Sequence, residues 1–138
     1  MSKSKTSKFR SGLEERIAKQ LEDLGVEYDY ETEVIRYKKP ERLSRYTPDF
    51  ILPNKIYIEG KGQFLTADRR KHRLIREQFG DKYDIRFVFS NPYQRLNKGA
   101  KSTYADWCDY YGFLFAKEVI PHDWIKEKKK KICLNKVL

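Results

Sequence analysis

The sequence predicts an α/β (α+β) fold with a mixed central sheet flanked by helices. Two apolar runs, Phe50 to Leu52 and Ile56 to Ile58, are separated by Pro53-Asn54-Lys55, which is typical of a β-hairpin. A helical pattern from Thr66 to Phe79 follows, and then an alternating strand pattern from Ile85 to Phe89. Because a strand, a helix and a strand in succession favour a right-handed parallel crossover, one sheet would contain antiparallel and parallel pairs.

Length and composition restrict the class of protein. The chain has 138 residues, which suits one compact domain and is too short for two ordinary ones. Thirty Lys and Arg against 20 Asp and Glu give a formal net charge of +10, which indicates a polyanionic partner, with nucleic acid as the leading candidate. No run of apolar residues is long enough to span a membrane, and no signal peptide is evident, so we expect a cytoplasmic location and no membrane partner. Cys108 and Cys133 lack metal-ligand spacing, which predicts two free thiols.

The N-terminal part predicts a basic arm followed by a helix. Residues 1–10 are polar and basic, and we expect a flexible arm that contacts phosphates. Ser11 and Glu14 have the spacing of a capping box, so a helix begins here, and Gly25 supplies its end. Apolar residues at helical spacing predict one buried stripe: Leu13, Ile17, Leu21 and Leu24.

Glu14 has two interpretations. A helix-capping role explains a glutamate at this position without any further function. Alternatively, Glu14 is a third acidic group of a metal site, if the start of the helix packs against the hairpin. The local sequence leaves both interpretations open.

The segment between this helix and the hairpin predicts a strand and a linker. From Val26 to Val34, apolar residues alternate with acidic ones, which is typical of a half-buried strand. From Lys38 to Arg45, proline and charge interrupt the pattern, which indicates a linker and a candidate hinge.

The hairpin carries a constellation of charged residues. Asp49 precedes the first run, and Glu59 and Lys61 close the second. If the turn is centred on Asn54, Asp49 pairs with Glu59, whereas a two-residue turn would make them diagonal neighbours. Glu59 and Lys61 are two residues apart, so both project from the same face of the strand. Two carboxylates and an ammonium group are therefore expected to converge.

This convergence indicates metal-assisted phosphodiester hydrolysis. Facing carboxylates repel each other unless they share a cation, and Mg²⁺ needs only one or two carboxylates together with waters and phosphate oxygens. Lys61 would stabilise developing negative charge or orient the attacking water. The structural alternative is an ordinary cross-strand charge pair at Glu59 and Lys61.

The predicted helix after the hairpin is strongly basic. Thr66 is its expected N-cap and Gly80 its C-terminal glycine. Six of its residues are a charged run: Arg69, Arg70, Lys71, His72, Arg73 and Arg76. A solvated face and a phosphate-binding face are both compatible with such a run. We expect His72 to be a surface or phosphate contact rather than a catalytic base.

The remaining chain predicts a basic loop and short elements. The loop ends at Lys101, Ser102 is expected to cap a helix that stops at Gly112, and aromatic residues of that helix pack rather than stack on bases. Further expected elements are a strand at Phe113 to Phe115, a helical turn after Pro121 and a basic tail over residues 126–138.

Four motifs in this order resemble the phage endonuclease I family: Phe9 to Glu14, Tyr46 to Phe50, Glu59-Gly60-Lys61 and Leu74 to Gln78. The likeness runs from about Phe9 to Lys128. Members of this family are Holliday-junction-resolving endonucleases of the PD-(D/E)xK class with a restriction-endonuclease-like core.

The resemblance implies roles for the charged residues. Asp49 and Glu59 would hold Mg²⁺ or Mn²⁺, with two ions per site, and Lys61 would be the catalytic lysine. Glu14 matches the family's catalytic glutamate and would be a further metal ligand or a water-positioning carboxylate. The resemblance also implies an intertwined, domain-swapped homodimer, in which residues 11–38 are exchanged across a bridge at about residues 39–43. Each site would then combine Glu14 of one subunit with the other three residues of its partner.

The expected organisation is an arm (1–10), a single nuclease domain (11–125) and a tail (126–138). The leading hypothesis is a structure-selective endonuclease that cuts four-way junctions and other branched DNA, without an organic cofactor. A nuclease that cuts linear duplex at particular sequences and a non-catalytic nucleic-acid-binding module remain as alternatives. The residues expected to bind DNA are Lys3, Lys5, Lys8, Arg10, Arg69, Arg70, Lys71, His72, Arg73, Arg76, Lys98 and Lys101.

Overall fold

The computed structural model describes residues 8–39 and 42–129, and a mixed sheet lies at its centre. In chain order the elements are α1 (Gly12–Asp23), β1 (Asp29–Tyr30), β2 (Ile35–Lys39), β3 (Arg42–Tyr46), β4 (Phe50–Ile51), β5 (Ile56–Lys61), α2 (Thr66–Phe79), β6 (Asp84–Phe89), α3 (Tyr104–Tyr111), β7 (Phe115–Lys117) and α4 (His122–Lys126). The sheet has the strand order β1-β4-β5-β6-β7, with antiparallel pairs up to β5 and parallel pairs beyond it. The predicted α/β class with a mixed sheet is confirmed.

The hairpin of β4 and β5 has the register expected for a turn centred on Asn54. Phe50 pairs with Ile58, and Ile51 pairs with Tyr57. The turn closes through a hydrogen bond from Lys55 N–H to the carbonyl of Leu52 (2.8 Å), and Lys55 has a φ of 67°. A left-handed residue at the end of a three-residue loop matches the twist of the two strands. Continuing this register places position 49 opposite position 59.

Helix α2 connects β5 to β6, which lie side by side in parallel. Their pairing runs from Ile56 with Asp84 to Lys61 with Phe89. The helix ends at Phe79, and Gly80 follows with a φ of 57°, so the predicted end is confirmed. Its cap is one residue earlier than predicted, because Thr66 is already helical.

The segment before the hairpin differs from the prediction. Within Val26 to Val34, only Asp29–Tyr30 is a strand, because Glu31 has a left-handed backbone (φ 53°) that ends the alternation. The predicted linker was wrong, since β2 and β3 pair as a separate two-stranded sheet. A charged run can still be a strand when alternate residues are buried, and here Ile35, Tyr37 and Tyr46 join the core.

Two apolar clusters lie on the two faces of the sheet. Along β5, Ile56 and Ile58 pack with helix α1, whereas Tyr57 belongs to the cluster that includes α2 and α3. A methyl group added at Gly60 would lie 3.3 Å from Cδ1 of Ile17. Because Gly60 has no side chain, α1 approaches β5 closely and its first turn reaches the end of the hairpin.

The C-terminal elements are close to those predicted, with shifted boundaries. Thr103 rather than Ser102 caps α3, and Gly112 ends it in a left-handed conformation. The last strand begins at Phe115, because Phe113 turns into the core instead. No helix in residues 8–39 or 42–129 is long and apolar enough to cross a membrane. Most of the predicted tail and Cys133 lie outside the described residues, and Cys108 is a buried free thiol.

Candidate active site

Three of the four predicted catalytic residues are buried carboxylates. Asp49, Glu59 and Glu14 are 2%, 5% and 6% exposed, respectively. Asp49 and Glu59 are held by the two sides of the hairpin, and Glu14 is in the first turn of α1. Charged groups are costly to bury unless they are paired, hydrogen-bonded or bound to a metal ion. The partners of these three carboxylates therefore indicate whether the region can bind a cation.

Glu14 lies in the first turn of α1, next to its N-cap, and joins an acidic cluster. Its N–H donates to Oγ of Ser11 (3.1 Å), which is the predicted half of the capping box. Its Oε1 accepts from the backbone N–H of Arg10 (3.1 Å) and from the hydroxyl of Tyr30 (2.5 Å), rather than from the N–H of Ser11. Ser11 therefore caps α1 without the reciprocal bond that a capping role of the Glu14 carboxylate would require.

The acidic cluster consists of Glu14, Glu31 and Asp49. One carboxylate oxygen of each residue lies within 4.8 Å of the other two. Sequence reasoning missed Glu31, because an alternating strand would give it no preference over Glu27 or Glu33. Its left-handed backbone brings it to the hairpin, where its N–H donates to the carbonyl of Asp49 (3.1 Å). Carboxylate oxygens in such a group are the ligands that Mg²⁺ and Mn²⁺ prefer.

Arg10 places a positive charge at this cluster. Its Nη2 lies 2.5 Å from Oε2 of Glu31 and 3.6 Å from Oδ1 of Asp49, while its side chain is 67% exposed. The same position can therefore hold a cation, which is the property required of a metal site. Arg10 was predicted to bind phosphate, and the structure places it at the edge of the acidic cluster.

Asp49 carries a strongly perturbed carboxyl group. Its Oδ2 accepts a hydrogen bond from Gly60 N–H (2.9 Å). Burial, and then the charges of Glu59 and Glu14, raise the pKa of Asp49 to about 8 despite that bond. A bound cation would stabilise the ionised form of Asp49, because it would offset the repulsion by the neighbouring carboxylates that favours the protonated form.

Glu59 and Lys61 form a second part of the site on the α2 side of the hairpin. Oε1 of Glu59 accepts from the buried Tyr46 hydroxyl (2.8 Å), and its Oε2 lies 3.4 Å from Nζ of Lys61. Burial raises the pKa of Glu59, although Lys61 and Tyr46 oppose that change. Burial also opposes the charge on Lys61, yet Glu59 and Asp68 raise its pKa above the ordinary value. Lys61 is thus a persistent ammonium group beside the carboxylates.

Two of the predicted DNA-binding arginines are engaged in contacts within the fold. Arg69 donates to the carbonyl of Phe64 (2.5 Å) and to Oγ1 of Thr66 (3.0 Å). Arg76 lies over the ring of Phe113 and donates to the carbonyl of Gly112 (3.2 Å). Arg69 thus binds the start of α2, and Arg76 binds the glycine that ends α3. These contacts explain the conformations of both side chains without a role in DNA binding.

The other basic residues are more accessible. Arg73 lies 3.8 Å from Glu77, and Lys71 is half-buried over the ring of Tyr46. Besides Arg10, the exposed basic side chains of the predicted set are Lys8, Arg70, Lys98 and Lys101. Lys3 and Lys5 lie outside the described residues.

The prediction for His72 was wrong. Its side chain is completely buried, and neither ring nitrogen has a hydrogen-bond partner in the described structure. It packs edge-on against Tyr46 and Phe87, with ring centroids 4.8 Å away in each case. Positions 72, 75 and 79 share one face of the helix, so the spacing could have indicated burial despite the charged neighbours.

The comparisons with known proteins agree with the motifs. A family model described as phage endonuclease I matches residues 1–138. The endodeoxyribonuclease 1 of Enterobacteria phage T3 is 49% identical over 128 residues, covering 93% of this chain and 84% of that protein. The endonuclease I of Escherichia phage T7 is 44% identical over 133 residues, covering 96% and 89%. The resemblance read from the motifs is confirmed, and this chain belongs to the phage endonuclease I family.

Proposed function

We propose that this chain is a DNA endonuclease that resolves four-way junctions and other branched DNA, with Mg²⁺ or Mn²⁺ as cofactor. The observation that carries the proposal is the hairpin register of Phe50 with Ile58 and Ile51 with Tyr57, which supports a pairing of position 49 with position 59, together with the 3.4 Å contact between Lys61 and Glu59. The names of the relatives, endodeoxyribonuclease 1 and endonuclease I, support DNA as the substrate. The net charge of +10 supports a polyanionic partner.

The carboxylates supply a donor set for divalent cations. Asp49, Glu14 and Glu59 are the proposed ligands, and one oxygen of Glu31 lies within 4.8 Å of an oxygen of Glu14 and of Asp49. Two ions per site remain the expectation. When bound, such an ion supplies Lewis-acid stabilisation of the phosphate and a more acidic water molecule.

Lys61 and Glu59 have distinct roles in this proposal. The Lys61 ammonium is held beside the carboxylates, where it stabilises negative charge on the phosphate or orients the attacking water. Glu59 presents one oxygen to Lys61, while Tyr46 fixes the other. Exposed Lys8, Arg70 and neighbouring basic side chains provide phosphate contacts that recognise shape rather than sequence.

The experiment compares a four-way junction with a linear duplex of the same sequence in Mg²⁺. We expect cutting of the junction, and loss of cutting with retained binding in E59Q and K61A. Equal cutting of both substrates would favour the sequence-specific nuclease. Binding without cutting by the unaltered protein would favour the non-catalytic module, and full activity in E59Q or K61A would refute the assigned site.

We further propose a restriction-endonuclease-like core and a homodimer that exchanges residues 11–38. The mixed sheet, with the Asp and Glu-x-Lys positions on its hairpin, supports the core. Strand β2 ends at Lys39, and strand β3 begins at Arg42. An exchange could therefore occur if the hairpin of these two strands opened. Two symmetry-related sites would suit paired nicks in a junction.

Complementation tests the exchange. Neither E14Q nor K61A is expected to cut junctions alone. In an exchanged heterodimer formed by refolding the two variants together, one site contains Glu14 of the K61A chain and Lys61 of the E14Q chain. Recovery of cutting in the mixture is the expected result. Without exchange both sites are defective, so the mixture would remain inactive and the exchange would be refuted.

A further inference from the structure

Asp68, in the first turn of α2, contacts the ammonium group of Lys61. Its Oδ1 lies 3.2 Å from Nζ of Lys61, and both side chains are 20% exposed. Its other oxygen, Oδ2, accepts a hydrogen bond from the backbone N–H of Leu65 (3.1 Å). One carboxylate therefore caps α2 and binds the lysine at the same time.

This double contact restricts a side chain that is otherwise flexible. A lysine ammonium is a point charge on a four-carbon stem, and one ion pair leaves it several conformations. Lys61 lies between Glu59 on its own strand and Asp68 on the following helix, at 3.4 and 3.2 Å. Because the Leu65 N–H fixes the Asp68 carboxylate, the start of α2 defines one side of the lysine's position.

The charge at the start of α2 also favours the contact between Asp68 and Lys61. The N-terminus of a helix carries partial positive charge, which disfavours a nearby ammonium group. Asp68 provides the acidic residue of this first turn, and its charge offsets both the helix end and Lys61. Without that charge, Lys61 would be repelled from α2 and drawn toward Glu59 and the acidic cluster.

We propose that Asp68 is a positioning residue that holds the Lys61 ammonium in its working place. The inference rests on the proposed function, because it assumes that Lys61 acts on the scissile phosphate. Asp68 is outside the group of oxygens formed by Glu14, Glu31 and Asp49, so its effect would pass through Lys61.

The test is D68N, with D106N as its matched control. Asparagine retains an oxygen that can accept from the Leu65 N–H but removes the negative charge. Asp106 has the same capping position in α3, where it accepts from the Thr103 N–H (2.9 Å), and it has no ion pair in the described part of the chain. The two substitutions thus make the same change to a helix cap, and only D68N alters the environment of Lys61.

We expect D68N to change the rate of junction cleavage without changing the affinity for DNA or metal. Under single-turnover conditions with saturating Mg²⁺, we expect D68N to cut a four-way junction about 10–100-fold more slowly, as is typical when a supporting residue is lost. Junction affinity and Mn²⁺ affinity should stay unchanged, D106N should retain the normal rate, and D68E should recover part of the loss. A normal rate in D68N would overturn the inference, as would an equal loss in D106N.

A spectroscopic measurement distinguishes this inference from the proposed function. In proton–nitrogen spectra of lysine side chains, the Lys61 ammonium signal is assigned by its disappearance in K61A. We expect D68N, and not D106N, to shift or broaden that signal in the absence of DNA and metal. An unchanged signal in D68N would overturn the positioning role even if K61A is inactive. Normal cutting by K61A would instead overturn the proposed role of Lys61, whatever the spectrum shows.

Discussion

The Tyr46 hydroxyl donates a 2.8 Å hydrogen bond to Oε1 of Glu59, and both side chains are buried. Tyr46 also lies just before the Thr-Pro-Asp stretch that ends at Asp49. One short segment therefore carries the proposed ligand Asp49 and the tyrosine that binds Glu59. Burial, and then the charge of Glu59, raise the pKa of Tyr46 well above its ordinary value, so Tyr46 remains a donor.

We predict that Y46F lowers both stability and cleavage. The substitution leaves a buried charged oxygen without its donor, and a hydrogen bond to a charged group contributes about 1.5–3 kcal/mol. Urea unfolding should show a loss of that size in the free energy of unfolding. The matched control is Y57F, because Tyr57 makes a similar bond to Oε1 of Glu33 (2.7 Å), which is not among the proposed ligands Asp49, Glu14 and Glu59. Cleavage by Y46F at the rate of Y57F would contradict the prediction.

We predict that Mn²⁺ binding releases a proton near neutral pH. Burial and the adjacent carboxylates raise the pKa of Asp49 to about 8, so below that pH a proton occupies the group that the metal would bind. Mn²⁺ affinity should therefore rise as the pH increases from 6 to 8, by up to about tenfold per pH unit for one proton, and then level off. Calorimetry in buffers of different ionisation enthalpy would count the released proton at pH 7. D49N is the control, and equal proton release by D49N would contradict the assignment.

We predict that R10Q binds Mn²⁺ more tightly than the unaltered protein in the absence of DNA. The Arg10 guanidinium lies 2.5 Å from Glu31 and 3.6 Å from Asp49, so it competes with any other cation for these carboxylates. Removing the competing charge should lower the Kd for Mn²⁺ measured by electron paramagnetic resonance. R16Q, at an exposed position of α1, should leave the Kd unchanged. Weaker Mn²⁺ binding by R10Q would show that Arg10 supports the site instead.

We predict that His72 makes the protein less stable in acid. Burial, and then the charges of Lys71 and Lys61, lower the pKa of His72 well below its ordinary value. Because the folded state resists protonation that the unfolded chain accepts, this group's contribution is present above about pH 6.5 and is lost as the pH falls below it. H72F cannot titrate, so the difference in unfolding free energy between the unaltered protein and H72F should change between pH 7.5 and 5.5. The exposed His122 provides the control, since H122Q should keep the pH dependence of the unaltered protein.

Local patterns were sufficient for the hairpin and for the C-terminal ends of α2 and α3. A short turn between two apolar runs permits few registers, so the pairing of Phe50 with Ile58 follows from residues within a single hairpin. Gly80 and Gly112 ended α2 and α3 as expected, since their conformations depend on the backbone at one residue. The resemblance to the endonuclease family likewise rested on short motifs, and the comparisons confirmed it.

Contacts between distant segments were decided by the tertiary structure. Glu31 joins the acidic cluster through a left-handed backbone that strand alternation does not reveal, and His72 is buried because the core extends under a charged helix. Asp68 meets Lys61 only because the end of β5 and the start of α2 turn toward each other. Sequence spacing describes neighbours along a strand or a helix, whereas these contacts depend on how separate elements pack, and packing is set by side chains that are far apart in the chain.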